Sequence, residues 1–316
     1  MKIALITPYL PDTHSGNAHT ALRWRRFLRA AGYRVDMATA WDGRPADLMV
    51  ALHARRSHPA IADFAARHPD RPLILILTGT DLYRDIRTDA DAQASLCLAR
   101  RIVVLQERGP DELDPALRGK TRVIYQSAPA RLPRPKPRRF FRACVAGHLR
   151  EEKDPFTPAC ASALLPAVSR VRIDHLGSAL DAAMAEVAHR SQAQYPRWHW
   201  LGPRGHGEAR RFIAASHLLL LPSRMEGGAN VVCEAVGSGT PVLASRVPGN
   251  VGMLGADYAG YFPLGDAVAL ADLLGRAEGE PGFLDRLQLQ CAARAPLFAP
   301  EREAGAIRQL IQELTP

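Results

Sequence analysis

The run Leu218-Leu219-Leu220-Leu221, closed by Pro222 and followed at once by a glycine-containing turn, restricts the fold of this chain more than any other stretch. Four consecutive apolar residues stopped by a proline read as a strand buried on both faces, and such strands belong to parallel sheets covered by helices. Downstream, Gly227 and Gly228 let the backbone turn tightly and leave room for a ligand. Asn230 is placed to cap a helix from Val231 to about Gly237. Gly239-Thr240-Pro241 stops that helix, and Val242-Leu243-Ala244 begins the next strand. Strand, glycine turn, helix, strand is the unit of an open α/β sheet, which binds ligands at the carboxyl ends of its strands.

The same alternation runs along the whole chain. Strands are expected at Ile3 to Thr7, Arg34 to Thr39, Leu48 to Leu52, Leu73 to Leu77, Ile102 to Leu105 and Arg122 to Tyr125. Helices are expected at Thr20 to Ala31, from Ser57-His58-Pro59 to about Arg67, and around Ala92 to Leu98. Then Pro129, Pro133, Pro135 and Pro137 interleave with Arg131, Arg134, Lys136, Arg138 and Arg139, the composition of a stiff, extended linker or of a basic interaction arm. Beyond it the pattern restarts, with strands at Phe141 to Ala146, Val171 to Leu176 and Trp198 to Leu201 and helices at Phe156 to Val168, after Asp181, and at Glu208 to Ala215. The C-terminal stretch from about Phe283 to Leu314 reads as helices. The expected architecture is α/β, two Rossmann-like, doubly wound domains facing each other across a cleft, at 1–128 and 141–295, with 129–140 as linker and 296–316 as a C-terminal helix packing back toward the N-terminal domain.

Composition narrows the function. The 316 residues carry 41 Lys and Arg against 32 Asp and Glu, a formal charge of +9. The arginines are spread along the chain instead of gathered in a stripe or tail, which argues against nucleic acid as partner and suits phosphorylated small molecules or a peripheral membrane contact. No apolar run approaches the roughly 20 residues of a membrane span. Met1 to Pro8 reads as a strand and not a signal peptide, and the five cysteines, 97, 144, 160, 233 and 291, are odd in number without paired spacing. Reduced, buried thiols in a cytoplasmic protein are the expectation. Nothing in the sequence sets the oligomeric state.

Two carboxylates define the candidate site. Glu226 sits on the glycine loop and Glu234 on the helix eight positions later, its side chain leaning back toward the helix N-terminus. Amides at a helix start hold anions, so the pair suits a ligand with both phosphate and hydroxyl groups, as in a sugar nucleotide. The alternative is an acidic loop beside a solvated helix glutamate. A second candidate is His53-Ala54-Arg55-Arg56-Ser57-His58-Pro59, where Ser57 would cap a helix and two arginines with free amides would make an anion site; solvated surface arginines are the other reading. His14 and His19 flank the loop Ser15-Gly16-Asn17, and their irregular spacing argues against a metal site. Asp89-Ala90-Asp91 reads as a helix start.

These residues resemble the GT-B glycosyltransferases, and within them glycosyltransferase family 4. Glu226 and Glu234 stand at the spacing of that family's E-x7-E motif. Gly202-Pro203-Arg204 is similar to its nucleotide-base loop, and Ala146-Gly147-His148-Leu149-Arg150-Glu151-Glu152-Lys153 to the strand and loop whose Arg and Lys hold a diphosphate. Ser15-Gly16-Asn17 occupies the donor-facing glycine loop, and Leu77-Thr78-Gly79-Thr80-Asp81-Leu82-Tyr83 resembles its H-G-T-D-L-Y segment, with Thr78 where a histidine is usual. The resemblance implies a UDP-sugar in the second domain and no cofactor and no metal. Glu234 would hold the ribose, Glu226 with Gly227, Gly228, Ala229 and Asn230 the sugar, Gly147 and Arg204 would line the donor, and Arg150 and Lys153 would neutralise the leaving diphosphate.

The chain as a whole, through Thr7-Pro8-Tyr9, Arg23-Trp24-Arg25-Arg26 and Ala51-Leu52-His53-Ala54-Arg55-Arg56-Ser57, resembles the selenosugar synthases of selenoneine biosynthesis. Those enzymes join a UDP-sugar, here expected to be UDP-N-acetylglucosamine, to selenophosphate through a carbon–selenium bond. On that resemblance His53, Arg55, Arg56, Ser57, Thr78, His14 and His19 are the candidate acceptor residues. Two alternatives stay open. One is a family 4 enzyme acting on a lipid, glycan or small alcohol, for which the arginine-rich Thr20 to Ala31 segment is a candidate membrane-facing helix. The other is a GT-B domain that binds a nucleotide sugar without turning it over.

Overall fold

The computed structural model describes residues 1–9 and 16–314. The chain forms two compact units. The first comprises Met1–Ser127, Glu226–Ala229 and Phe298–Pro316, the second Ala128–Met225 and Asn230–Leu297.

In the first unit the order is β1 (Lys2–Ile6), α1 (Gly16–Ala30), β2 (Arg34–Ala38), β3 (Leu48–Leu52), α2 (His58–Arg67), β4 (Leu73–Ile76), a π-helical turn over Asp81–Asp85, α3 (Ile86–Thr88), α4 (Ala90–Leu98), β5 (Arg101–Val104), α5 (Pro115–Arg118) and β6 (Thr121–Val123). The sheet is parallel throughout, in the order β2-β1-β3-β4-β5-β6. Successive strand side chains point to opposite faces, so Ala4, Ile6, Met49, Ala51, Leu73 and Leu75 build one core, against Ile61 and Phe64 of α2. Ile3, Leu5, Leu48, Val50, Ile74 and Ile76 build the other, against Trp24 and Leu28 of α1. Continuous burial on both faces is why these strands carry unbroken apolar runs.

The second unit runs β7 (Phe141–Ala146), α6 (Thr157–Ala163), β8 (Val171–Leu176), α7 (Ala182–Gln194), β9 (Trp198–Trp200), α8 (His206–Ala214), β10 (Leu218–Leu221), α9 (Asn230–Val236), β11 (Val242–Ser245), α10 (Pro248–Leu254), β12 (Tyr261–Phe262), α11 (Ala267–Gly279) and α12 (Phe283–Arg294). The chain ends with α13 (Pro300–Gln312) in the first unit, where Ile307, Leu310 and Ile311 join the core of Trp24 and Leu28. The second sheet has the order β12-β11-β10-β7-β8-β9 and is also parallel. Counted from its own first strand this is 3-2-1-4-5-6, the order of dinucleotide-binding sheets.

Several local expectations are corrected. Helix α1 begins at Gly16 and not Thr20, because Ala18 is buried and extends the apolar face by a turn. Helix α6 stops at Ala163 instead of Val168, since Pro166 biases the residue before it away from the helical region. Asn230 is the first residue of α9, not a cap ahead of it. The expected cap residues Asp89 and Asp181 do accept from the amides of Ala92 and Met184. Cys97 and Cys160 are exposed, so only Cys144, Cys233 and Cys291 are buried thiols. Among the described residues no helix is long and apolar enough to cross a membrane.

Candidate active site

In the second sheet β7 lies between β8 and β10. The connections from β7 and from β10 therefore leave the sheet at the point where the strand order reverses, the place where such sheets bind ligands. The loop after β7 carries Arg150 in an extended conformation, a 3-10 turn over Glu151–Lys153, and Asp154 in the left-handed region at φ 45°. Asp154 accepts from the Thr157 hydroxyl at 2.7 Å, a bond that offsets the cost of that backbone conformation. The loop after β10 is tied to it: the Arg224 amide donates to the Glu152 carbonyl at 2.9 Å, and the Arg224 guanidinium lies 3.6 Å from the Asp154 carboxylate. Arg150 itself is exposed. Beneath it, Gly147 backs onto Gly177, where a Cβ would overlap the Gly147 carbonyl. The fully buried His175 donates from Nε2 to that carbonyl at 3.0 Å, and burial pushes its pKa down to about 4.

Glu234 projects from α9 with its carboxylate nearly buried, and two groups of α8 reach the same oxygen. His206 Nε2 lies 2.6 Å from Oε1, and Arg210 Nε lies 3.9 Å from it. Arg210 spends Nη2 on the Pro129 carbonyl at 2.7 Å; burial lowers its pKa while Glu234 pulls it up. Arg204 is exposed and pairs along its own helix start with Glu208 at 3.2 Å.

Glu226, Gly227, Gly228 and Ala229 group with the first unit and are buried there. The two glycines have ordinary negative φ, because neither is among the positive-φ glycines. The chain bends at both, and what demands glycine there is close approach. A Cβ on Gly227 would overlap the carbonyl of Thr78, and one on Gly228 would lie 2.5 Å from Leu105 Cβ. Gly228 O accepts from the Gln126 side-chain amide. The Gln126 oxygen in turn accepts from the Thr20 hydroxyl and the Arg23 guanidinium, both at 2.5 Å. Near this loop burial raises the pKa of Tyr83, with Glu112 and Glu226 adding to the shift, so its phenol stays protonated.

The loop after β3 is closed on itself. His53 sits at φ 72° and is buried; its Nδ1 accepts from the Arg56 amide at 3.4 Å and its Nε2 lies 3.2 Å from the Thr80 hydroxyl. Ser57 holds the N-cap position of α2, as expected, but its side chain makes no capping bond, because its hydroxyl donates to the Leu52 carbonyl at 2.6 Å. The expected free amides are engaged too: Ala54 N donates to Asp81 Oδ2 at 3.0 Å, Ser57 N to the His53 carbonyl at 3.1 Å and His58 N to the Arg55 carbonyl at 3.2 Å. Asp81 Oδ1 takes the amides of Thr78 and Gly79 at 2.9 Å and the Thr78 hydroxyl at 3.1 Å. Thr78 thus anchors its own loop. Arg55 donates from Nε to Asp85 at 2.9 Å, which raises its pKa. Burial pushes the Asp85 carboxyl up, and bonds from Arg55 and Arg84 outweigh it, so the net shift is down. Arg56 is exposed and lies 5.0 Å from the Tyr9 ring centre.

His14 and Ser15 lie outside the described residues; Gly16 and Asn17 begin α1, and His19 follows in its first turn, partly buried. Among the described residues no group of three or more His, Cys, Asp or Glu side chains is placed to hold a metal ion. The structure therefore gathers His53, Arg55, Arg56 and Ser57 with Thr78 and Asp81, sets Glu226 to Gly228 against Thr78, and places Arg150 and Lys153 at the switch point of the second sheet. Nothing local in the sequence marks His206, Arg210, Gln126 or Asp85 as their partners. Asp81 lies within the segment that resembles the H-G-T-D-L-Y motif.

Solved structures align along the full length of the chain. Sucrose-phosphate synthase from Thermosynechococcus elongatus is 18% identical, with 99% of each chain covered and a TM-score of 0.81. Anabaena HepE, solved with UDP and glucose, is 16% identical, covering 99% of this chain and 100% of that one, at a TM-score of 0.80. This chain has the GT-B fold. An Escherichia coli structure described as trehalose-6-phosphate bound with UDP-2-fluoro glucose is similar at 12% identity, 99% coverage of both chains and a TM-score of 0.74. Residues 144–277 match the family described as glycosyl transferases group 1. No curated protein sequence matches the chain.

Proposed function

We propose that this GT-B chain is a metal-independent glycosyltransferase that takes a UDP-sugar and passes the sugar to a small-molecule acceptor. The observation that carries this is the second sheet. Its switch point receives the loop with Arg150 and Lys153 and the loop that leads through Arg224 to Glu226, and helix α9 then presents Glu234. The match of residues 144–277 to group 1 glycosyl transferases covers that arrangement. In this reading Arg150 and Lys153 neutralise the diphosphate as it leaves, the largest single term in many such reactions. Glu234 holds the ribose, Arg204 and Gly147 border the nucleotide, and Glu226 with the turn from Gly227 to Asn230 holds the sugar, with Gly16 and Asn17 on the donor side.

The acceptor reading is finer. The acids near His53 are already committed, Asp81 to amides and Asp85 to Arg55 and Arg84. Neither is free to take a proton from an alcohol. Selenophosphate, the acceptor of the enzymes this chain resembles, arrives ionised. Its selenium supplies the electron pair for the new bond to the sugar's anomeric carbon while the pair of the breaking carbon–oxygen bond leaves on UDP. No proton has to move, so positioning and charge suffice, and Arg56 with Arg55 and Arg84 is the cationic group at hand.

The test is UDP release by purified protein over a matrix of UDP-sugars and acceptors. Turnover with selenophosphate, best with UDP-N-acetylglucosamine, is the expected result. Turnover only with lipid, glycan or small alcohols would transfer the chain to the ordinary acceptor class, and UDP binding without turnover on any acceptor would make it a binding domain.

A further inference from the structure

The contact between His206 and Glu234 has no place in the reading above. Glu234 stands on a seven-residue helix with its side chain 8% exposed, while the His206 side chain is 46% exposed at the first position of α8. The separation from Nε2 to Oε1 is 2.6 Å, a short charge-assisted bond. Arg210 approaches the same oxygen from one turn further along α8. Among the described residues no hydrogen bond engages Oε2. Helix α8 therefore grips one oxygen of the carboxylate and leaves the other to be presented. A carboxylate oxygen accepts two bonds, so Oε1 keeps a lone pair while it is held.

A glutamate with three rotatable bonds must lose that freedom before it can receive two hydroxyls at once. A bond made before the ligand arrives removes part of that loss. Position 206 also follows directly on Gly202-Pro203-Arg204-Gly205, so one connection brings the base-side loop and the clamp on the carboxylate together.

We infer that His206 is a positioning residue that orients Glu234 to accept the vicinal hydroxyls of a ribose, and so sets the preference of this site for ribonucleotides over 2′-deoxyribonucleotides. This rests on the reading that Glu234 holds the ribose of the donor. Among the charged groups near the pair are Arg210 on α8, Arg131, whose charge acts on Arg210, and the Arg204–Glu208 pair at the helix start. None of them replaces the short bond from the imidazole.

Isothermal titration of UDP and 2′-deoxy-UDP into wild type, His206→Ala, His206→Gln and Glu234→Ala tests it. In wild type UDP is expected to bind about tenfold or more tighter than its deoxy analogue, the value of a hydrogen bond to a charged group. His206→Ala should bring that ratio down to about two, while His206→Gln, whose amide can donate to the same oxygen, keeps most of it. Thermal melts of the variants should stay close to wild type. A wild-type ratio retained in His206→Ala, or lost equally in His206→Gln and His206→Ala, overturns the inference. The failure of the underlying reading looks different: wild type would not bind UDP, or Glu234→Ala would leave the ratio unchanged.

Discussion

Arg23 on α1 donates from Nε to the Glu303 carboxylate on α13 at 2.7 Å, across 280 residues of sequence. The Arg23 side chain is 11% exposed and that of Glu303 1%. The same guanidinium reaches the Gln126 oxygen, and the Gln126 amide holds the Gly228 carbonyl. A polar chain thus leads from the C-terminal helix to the loop that carries Glu226. Removing one member of a buried ion pair leaves the other charge uncompensated, so Arg23→Met should cost about 3–5 kcal/mol of stability. Urea unfolding checks this, and the double variant with Glu303→Met should recover a good part of the loss.

Gly227 faces the carbonyl of Thr78 too closely for any Cβ. Gly227→Ala must push the Glu226 loop away from Thr78, since backbone and not a flexible side chain stands in the way. The predicted outcome is a melting temperature lowered by the equivalent of about 1–3 kcal/mol, the ordinary cost of overpacking, with a much larger fractional loss of turnover. Gly147→Ala is the control, because a Cβ at Gly147 meets nothing within 4 Å. Its melting temperature should stay near that of wild type.

Much of the fold was legible because its strands are buried on both faces. Leu48–Leu52, Phe141–Ala146, Val171–Leu176 and Leu218–Leu221 coincide at both ends with the strands expected from the sequence. Helix starts were harder, as Gly16 and Asn230 show, because the packing that extends α1 and the glycine loop ahead of α9 are tertiary facts. The two-residue strand Tyr261–Phe262 and the glycine-rich helix Pro248–Leu254 carry too little periodicity to be read. Of the candidate site residues, Glu226 and Glu234 stand out by the glycine turn and helix that carry them, and Arg150 and Lys153 only through the family resemblance. His206 and Gln126 do not, because their partners Glu234 and Gly228 lie 28 and 102 residues away. The chain does bend at Gly227 and Gly228 as expected, but the stronger demand for glycine there was illegible for the same reason: the surface that excludes their side chains comes from Thr78 and Leu105.

His175 makes stability depend on pH. Its imidazole titrates at about 4 in the fold against 6.5 for the free side chain, burial being the cause, and its Nδ1 is buried without a partner. Between those two values the unfolded chain binds the extra proton, so stability is full above about pH 6.5 and falls as the pH drops toward 4. The loss amounts to something on the order of 3 kcal/mol. Denaturant unfolding at pH 7.5 and pH 4.5 should show it, and His175→Gln should flatten the difference. An equal difference in wild type and variant would assign the acid sensitivity to other groups.

Arg56 is the exposed cation of the loop after β3, whereas Arg55 is committed to Asp85. Arg56→Ala should raise the KM for an anionic acceptor about tenfold, in line with the loss of one charge-assisted hydrogen bond, and leave UDP affinity as in wild type. Arg55→Ala should act differently, lowering stability because the buried Asp85 keeps Arg84 but loses one of its two arginine partners, as well as weakening the acceptor. Initial rates at varied acceptor concentration, with UDP titrations beside them, separate the two. An unchanged acceptor KM in Arg56→Ala would remove this loop from the site.

In the proposed function the second unit holds a uridine diphosphate through Glu234 at the switch point of its sheet. Calorimetric titration of UDP into wild type and Glu234→Ala tests it most directly. One UDP per chain should bind to wild type, with an affinity at least about tenfold weaker in the variant. Equal affinity in the two proteins, or no binding to either, would contradict it.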